Sequence, residues 1–236
     1  MGFIQEKYGS PGYFTQVIAA DSRRKEFDIK NDSLMQSGQK PDFIFIGDSI
    51  THYWELQAYF HYQGQLIVNR GIGGDTTEYL KKRFYADVLQ LNPKYCIMGI
   101  GINDSIELEG DYWKLLEAKP YEEVLCKAQK NIEDIILQAK NEDMVLILTS
   151  LLPIHMPISL NESARKQYIN DMNQWMKQIT RREELIFVNY FEAMVVQETS
   201  ELLDGITYDG IHPNGKGYEI MASVLKNTLH QNKIII

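Results

Sequence analysis

Short apolar runs recur along the chain at wide intervals: Asp42 to Gly47, Gln65 to Asn69, Tyr95 to Ile100, Met144 to Thr149 and Leu185 to Asn189. Each has the length of a strand. Their continuous apolar character suits strands buried on both faces rather than on one. The segments between them are long enough for helices. A run-then-helix order repeated in this way predicts crossover units, and hence an α/β fold in which helices cover both faces of a parallel sheet.

Helical periodicity marks three of the intervening segments. From Tyr121 to Lys140 the residues Val124, Leu125, Ala128, Ile132, Ile135, Ile136 and Ala139 follow the 3.6-residue spacing, with Pro120 suited to a first turn. Tyr168, Met172, Trp175, Met176 and Ile179 line one side of another helix, for which Ser159-Leu160-Asn161-Glu162 offers a capping box. A last helix runs from about Asn214 through Tyr218, Met221, Val224 and Leu225. These stripes are read as core. No internal repeat or Pro/Gly-rich linker divides the chain, so one main domain is expected over residues 41–236. Residues 1–40 form an N-terminal extension, partly helical, packed on it through residues such as Phe14, Val17, Ile18 and Phe27.

Composition narrows the class of function. With 236 residues, 44% hydrophobic and 24% charged, the chain can bury a sizeable core. The formal net charge of -8 sets the overall field against a nucleic acid partner. The densest basic clusters, Lys81-Lys82-Arg83 and Arg181-Arg182, read as solvated helix faces. Two cysteines, Cys96 and Cys126, read as buried thiols in a reducing compartment. The first residues lack a secretory pattern and a myristoylation signal, and no apolar stretch is long enough to span a membrane. A cytoplasmic protein without stable membrane insertion is expected. The apolar tail Ile234-Ile235-Ile236 could be covered by a partner subunit, which leaves a homo-oligomer open.

Four short motifs carry chemistry. Gly47-Asp48-Ser49 follows the first run, placing Ser49 where a strand ends and a helix begins, the region where ligands bind in open α/β sheets and a helix dipole favours negative charge. Either Asp48 or Ser49 also suits a plain helix cap. Asn69 to Thr77 holds Gly71, Gly73 and Gly74, which can turn backbone N–H groups into a cleft or simply form a tight turn; the spacing does not match a phosphate loop. Gly101-Ile102-Asn103-Asp104 ends the third run; an Asn103 amide can donate to a developing oxyanion or serve as a turn residue, and Asp104 can cap a helix or tether its loop. Asp209-Gly210-Ile211-His212-Pro213 is the most specific. Pro213 biases His212 away from helical geometry, and a carboxylate three positions upstream can fix its tautomer. His52, His61, His155 and His230 arrive with no such company and are read as structural residues or bystanders.

Together and in this order, these blocks resemble the SGNH (GDSL) hydrolase family, named for its signature Ser, Gly, Asn and His. The longer strings Gly47 to Thr51 and Asn69 to Asp75 look like its bacterial lysophospholipase-like or platelet-activating-factor acetylhydrolase-like esterases; carbohydrate acetylesterases share them. Where relatives often carry Ser or Asn before the block glycine, this chain has Gly73. The resemblance implies a three-layer α/β/α sandwich around a parallel sheet of about five strands, flavodoxin-like in its winding. It implies Ser49 as nucleophile, His212 as general base and then acid, and Asp209 as orienting acid. The Ser49 and Gly74 backbone amides and the Asn103 side chain would form the oxyanion hole. No metal or organic cofactor is implied. The reaction would be acyl transfer from a small-molecule ester, with short acyl or acetyl esters of a lipid or carbohydrate preferred.

Two other readings compete. Asp48, Asn103, Asp209 and His212 are also plausible ligands for the divalent metal of a phosphoesterase. A non-catalytic, carbohydrate-binding relative is the other. The loops expected to shape a pocket are 52–54, 107–113 and 151–159, whose Tyr53, Trp54, Tyr112 and Trp113 suit either sugar stacking or ordinary packing.

Overall fold

The apolar runs form five strands: β1 (Phe43–Gly47), β2 (Ile67–Gly71), β3 (Tyr95–Gly99), β4 (Val145–Thr149) and β5 (Ile186–Val188). The computed structural model describes residues 18–61, 64–110 and 117–236. All four strand pairings are parallel, in the order β2-β1-β3-β4-β5. The chain moves outward to β2, returns past β1 and continues through β3, so the winding reverses beside β1. That reversal leaves a crevice at the carboxyl end of β1, the position used for ligands in sheets of this kind.

Alternation along β1 separates the two layers of core. Ile44 and Ile46 face one side, joined there by residues of the helices α4 (Thr77–Asp87), α5 (Tyr121–Ala139) and α6 (Glu162–Arg182). Phe43 and Phe45 face the other, with Trp54, Phe60 and the inner stripe of α8 (Gly215–Gln231). The three expected helical stripes are therefore core, and the expected three-layer sandwich is present. Short helices α2 (Ser49–His52) and α7 (Tyr190–Ala193) follow strand ends, and α3 (Leu56–Tyr59) lies between α2 and β2. Among the described residues no helix is long and apolar enough to cross a membrane.

Helix α1 (Ile18–Ser37) supplies the helical part of the N-terminal extension, and its Phe27 is fully buried beneath the guanidinium groups of Arg23 and Arg70. Phe14 and Val17 lie outside the described residues.

Several local expectations are corrected. Pro120 precedes α5 as its N-cap, with ψ of 136°, because the extended geometry is taken before the first turn rather than within it. The capping box does not form: Ser159 Oγ is spent on Glu109, and the Glu162 carboxylate accepts the Met156 N–H, so α6 starts at Glu162 behind Asn161. Cys96 is buried in β3, but Cys126 sits on the outer face of α5, two positions past the inward Val124. Arg181 and Arg182 are exposed, whereas Arg83 is wholly buried among carboxylates. The apolar tail is only partly free, since Ile234 packs into the chain's own core.

Candidate active site

Ser49 is the first residue of α2, two residues beyond the end of β1. The turn is tight enough that a side chain at Gly71 on the neighbouring strand would meet the His52 backbone at 2.2 Å, which is why only glycine fits there. Asp48 does act as a cap, its carboxylate accepting the Ile50 N–H at 2.9 Å, but it caps the turn that presents Ser49. Because α2 is a single turn, its dipole adds little. Burial raises the Asp48 carboxyl to about 7, with Asp75 and Asp104 adding to the effect against the Ile50 hydrogen bond and the Arg83 charge.

The loop before α8 brings the Asp209-Gly210-Ile211-His212 motif over Ser49. A bridge between Thr207 and Pro213 closes it, and the Tyr208 N–H donates to the His212 carbonyl at 2.9 Å. Asp209 Oδ1 accepts the N–H groups of Ile211 and His212, at 3.1 and 2.8 Å, leaving Oδ2 to meet His212 Nδ1 at 2.7 Å. His212 Nε2 lies 2.9 Å from Ser49 Oγ. Partial burial tends to raise the Asp209 carboxyl, but the hydrogen bonds from His212 and Ile211 outweigh it and leave it below its ordinary value. An ionised Asp209 requires the proton on Nδ1, which makes Nε2 the acceptor facing the Ser49 hydroxyl. The Tyr53 ring packs edge-on against His212, 5.6 Å between centroids.

The glycine loop lies alongside. Gly74 has a φ of +77°, and among the described residues its N–H has no protein acceptor. A side chain on Gly73 would come within 3.9 Å of Ser49 Cβ, so the loop runs close beside the serine. The Gly73 N–H donates to His52 Nδ1 at 3.2 Å. Burial and the Arg23 charge, against the opposing Glu26, lower the His52 pKa and favour the neutral ring that accepts this bond. His52 is thus a structural histidine, one of the two roles expected for it. Asn103 Nδ2 donates to the Asp75 carbonyl at 2.8 Å, which uses one of its two N–H groups. Asp104 tethers rather than caps its own loop: its carboxylate accepts the N–H and hydroxyl of Thr77 at 3.0 and 2.5 Å.

Asp209, His212 and Ser49 are therefore joined in one hydrogen-bonded chain, and Asn103 is tied to Asp75, the residue after Gly74. Of the aromatic residues expected nearby, Tyr53 is exposed, Trp54 is buried in the core and Tyr112 and Trp113 lie outside the described residues. Among the described residues no group of three or more His, Cys, Asp or Glu side chains is placed to hold a metal ion. The histidine that a metal would need already has both ring nitrogens engaged.

The five-stranded parallel sheet with its flanking helices matches the fold of SGNH-type hydrolases. Residues 45–220 match the GDSL-like Lipase/Acylhydrolase family, and the chain belongs to that family. An acetylxylan esterase of Geobacillus stearothermophilus is 25% identical over 211 residues, covering 80% of this chain and 93% of the relative. A GDSL-like lipase of Bacteroides thetaiotaomicron superposes with a TM-score of 0.72 at 29% identity, over 88% of this chain and 97% of the other. A solved structure of the Geobacillus acetylxylan esterase superposes with a TM-score of 0.62 at 23% identity, over 79% and 93% of the two chains.

Proposed function

We propose that this hydrolase is a serine esterase that works through an acyl-enzyme on Ser49. The observation that carries the reading is the continuous hydrogen-bonded chain from Asp209 through His212 to Ser49 Oγ. In the first half-reaction Ser49 Oγ attacks the ester carbonyl carbon while His212 Nε2 takes the hydroxyl proton. The tetrahedral oxyanion accepts from the Ser49 and Gly74 N–H groups and from the remaining N–H of Asn103. The C–O bond to the alcohol then breaks, and His212 returns the proton to the leaving oxygen. Water repeats the sequence on the acyl-enzyme, releasing the acid and restoring the Ser49 hydroxyl.

The substrate class is a small ester with a short acyl group. The likeness to an acetylxylan esterase favours an acetyl ester of a carbohydrate over a long-chain lipid. Exposed Tyr53 and Tyr208 beside the His212 loop offer aromatic faces of the kind on which sugar rings stack.

The test is hydrolysis of p-nitrophenyl acetate and of an acetylated xylooligosaccharide by wild type and by Ser49→Ala, each with and without EDTA. Turnover that ignores EDTA and vanishes in the variant is the expected result. EDTA-sensitive turnover would instead favour a metal-dependent hydrolysis, and absence of turnover in the wild type would favour the phosphoesterase or binding-protein reading.

A further inference from the structure

Arg83 is fully buried on α4, and its guanidinium spans three segments of the site. Its Nε and Nη2 donate to Asp75 Oδ2 at 2.8 and 2.7 Å, and Nη2 also donates to the Gly47 carbonyl at 3.0 Å. Nη1 donates to the Arg70 carbonyl and to Asp87 Oδ2, both at 2.9 Å. Gly47 lies two residues before Ser49, Arg70 four before Gly74 and Asp75 directly after it. The Asp75 carbonyl holds Asn103. One side chain therefore fixes the relative positions of Ser49, the Gly74 N–H and the Asn103 amide.

The far end of this network is supplied by α1, which lies outside the residues matched by the family. Arg24 and Asn31 are almost wholly buried. Arg24 Nη1 and Asn31 Nδ2, the latter at 3.0 Å, donate to Asp87 Oδ1, the oxygen that Arg83 leaves free. Asn31 Oδ1 accepts Arg70 Nε and Nη2 at 3.0 and 2.8 Å. Asp87 thus faces one arginine from α4 and one from α1. Removing either leaves buried charge uncompensated, so neither link is a neutral surface contact.

We propose that Arg83 is a positioning residue for the oxyanion-binding groups, and that α1 completes its setting through Arg24 and Asn31. The inference rests on the esterase reading above. A guanidinium is required because its planar fork reaches two carboxylates and two carbonyls at once, which an ammonium on a flexible stem cannot do. α1 is then part of the catalytic apparatus at one remove rather than a cover for the sheet.

Arg83→Lys and Arg24→Lys retain the charge and test the geometry. Turnover of p-nitrophenyl acetate is measured on folded, monodisperse protein well below each variant's melting temperature. Arg83→Lys is expected to lose roughly 10- to 100-fold in kcat, because displacement of oxyanion donors acts on the transition state, with KM held within about two-fold. Arg24→Lys is expected to show the same pattern at roughly 3- to 10-fold. A merely structural network would lower the melting temperature and leave kcat of the folded protein unchanged; that result, or a rise in KM alone, overturns the proposal. Should Arg83→Lys fail to fold, the Arg24→Lys kcat decides. Ser49→Ala run in parallel separates the two claims: full activity there removes the esterase reading, whereas an inactive Ser49→Ala beside fully active arginine variants removes only this one.

Discussion

His212 Nε2 stands 2.9 Å from Ser49 Oγ although the two residues are separated by 163 positions in the chain. The contact exists because β1 and the loop before α8 both end at the same edge of the sheet, and because Asp209 holds the imidazole from behind at 2.7 Å. Asp209→Asn should keep this geometry while removing the preference for a proton on Nδ1. A loss of roughly 100- to 10,000-fold in kcat is expected, the lower end being allowed because Asp209 is half exposed. Steady-state kinetics on the variant check this, and kcat near wild type would remove Asp209 from the mechanism.

Asn103→Ala should lower kcat by about 100- to 1000-fold with little change in KM, since its free N–H would act on the oxyanion rather than on the ground-state ester. The same substitution cuts the bond to the Asp75 carbonyl. A matching loss in an Asp75-loop variant that leaves Asn103 in place would show that loop position, not donation, carries the effect.

Gly210 has a φ of +85°, and a side chain there would meet the His155 carbonyl oxygen at 1.7 Å. Gly210→Ala must therefore push apart the loop that carries Asp209 and His212 from the loop after β4. A cost of about 1–3 kcal/mol in stability is expected. Thermal melts should show it, together with a kcat loss at temperatures where the variant is still folded. A variant as stable and active as wild type would mean that the His155 loop moves freely, contrary to the His155 N–H bond to the Gly210 carbonyl at 2.8 Å.

Asp48 gives a pH-dependent prediction. Its folded-state carboxyl is raised from 3.8 to about 7 by burial, so the folded protein holds this proton more tightly than the unfolded chain. The stability it contributes is complete below the unfolded value and is lost as pH rises through about 7. Asp48→Asn keeps an oxygen for the Ile50 N–H and removes the titration. The variant should therefore gain on the wild type as pH rises from about 4 to 8, by up to about 4 kcal/mol. A stability difference that is flat across that range contradicts the assignment.

Much of this architecture was legible because a parallel strand is buried on both faces and so writes a continuous apolar run. The ends were less so: β2 extends two residues past Asn69 to Gly71, where Gly71 pairs with Gly47 in a register that no local pattern announces. Ser49, His212 and Asp209 meet, since each sits at a strand end or on a short loop whose position follows from the winding of the sheet. Arg83 was misread because it follows Lys81 and Lys82 in a basic cluster. The signal was nevertheless present: Leu80, Arg83, Phe84 and Asp87 form one helical stripe, and a charged pair on an apolar stripe implies burial with partners. The role of His52 had no comparable trace, because its partner, the Gly73 N–H, is a backbone group 21 positions away.

Passage of an acyl group through Ser49 is tested by trapping it there. Wild type is mixed rapidly with p-nitrophenyl acetate, quenched in acid, and analysed by intact mass and peptide mapping, with a fluorophosphonate probe as a second label. One acetyl group, and separately one phosphonate, is expected on the peptide containing Ser49, and neither in Ser49→Ala. Turnover of the ester with no adduct on that peptide, or an unchanged adduct in the variant, would contradict passage through Ser49.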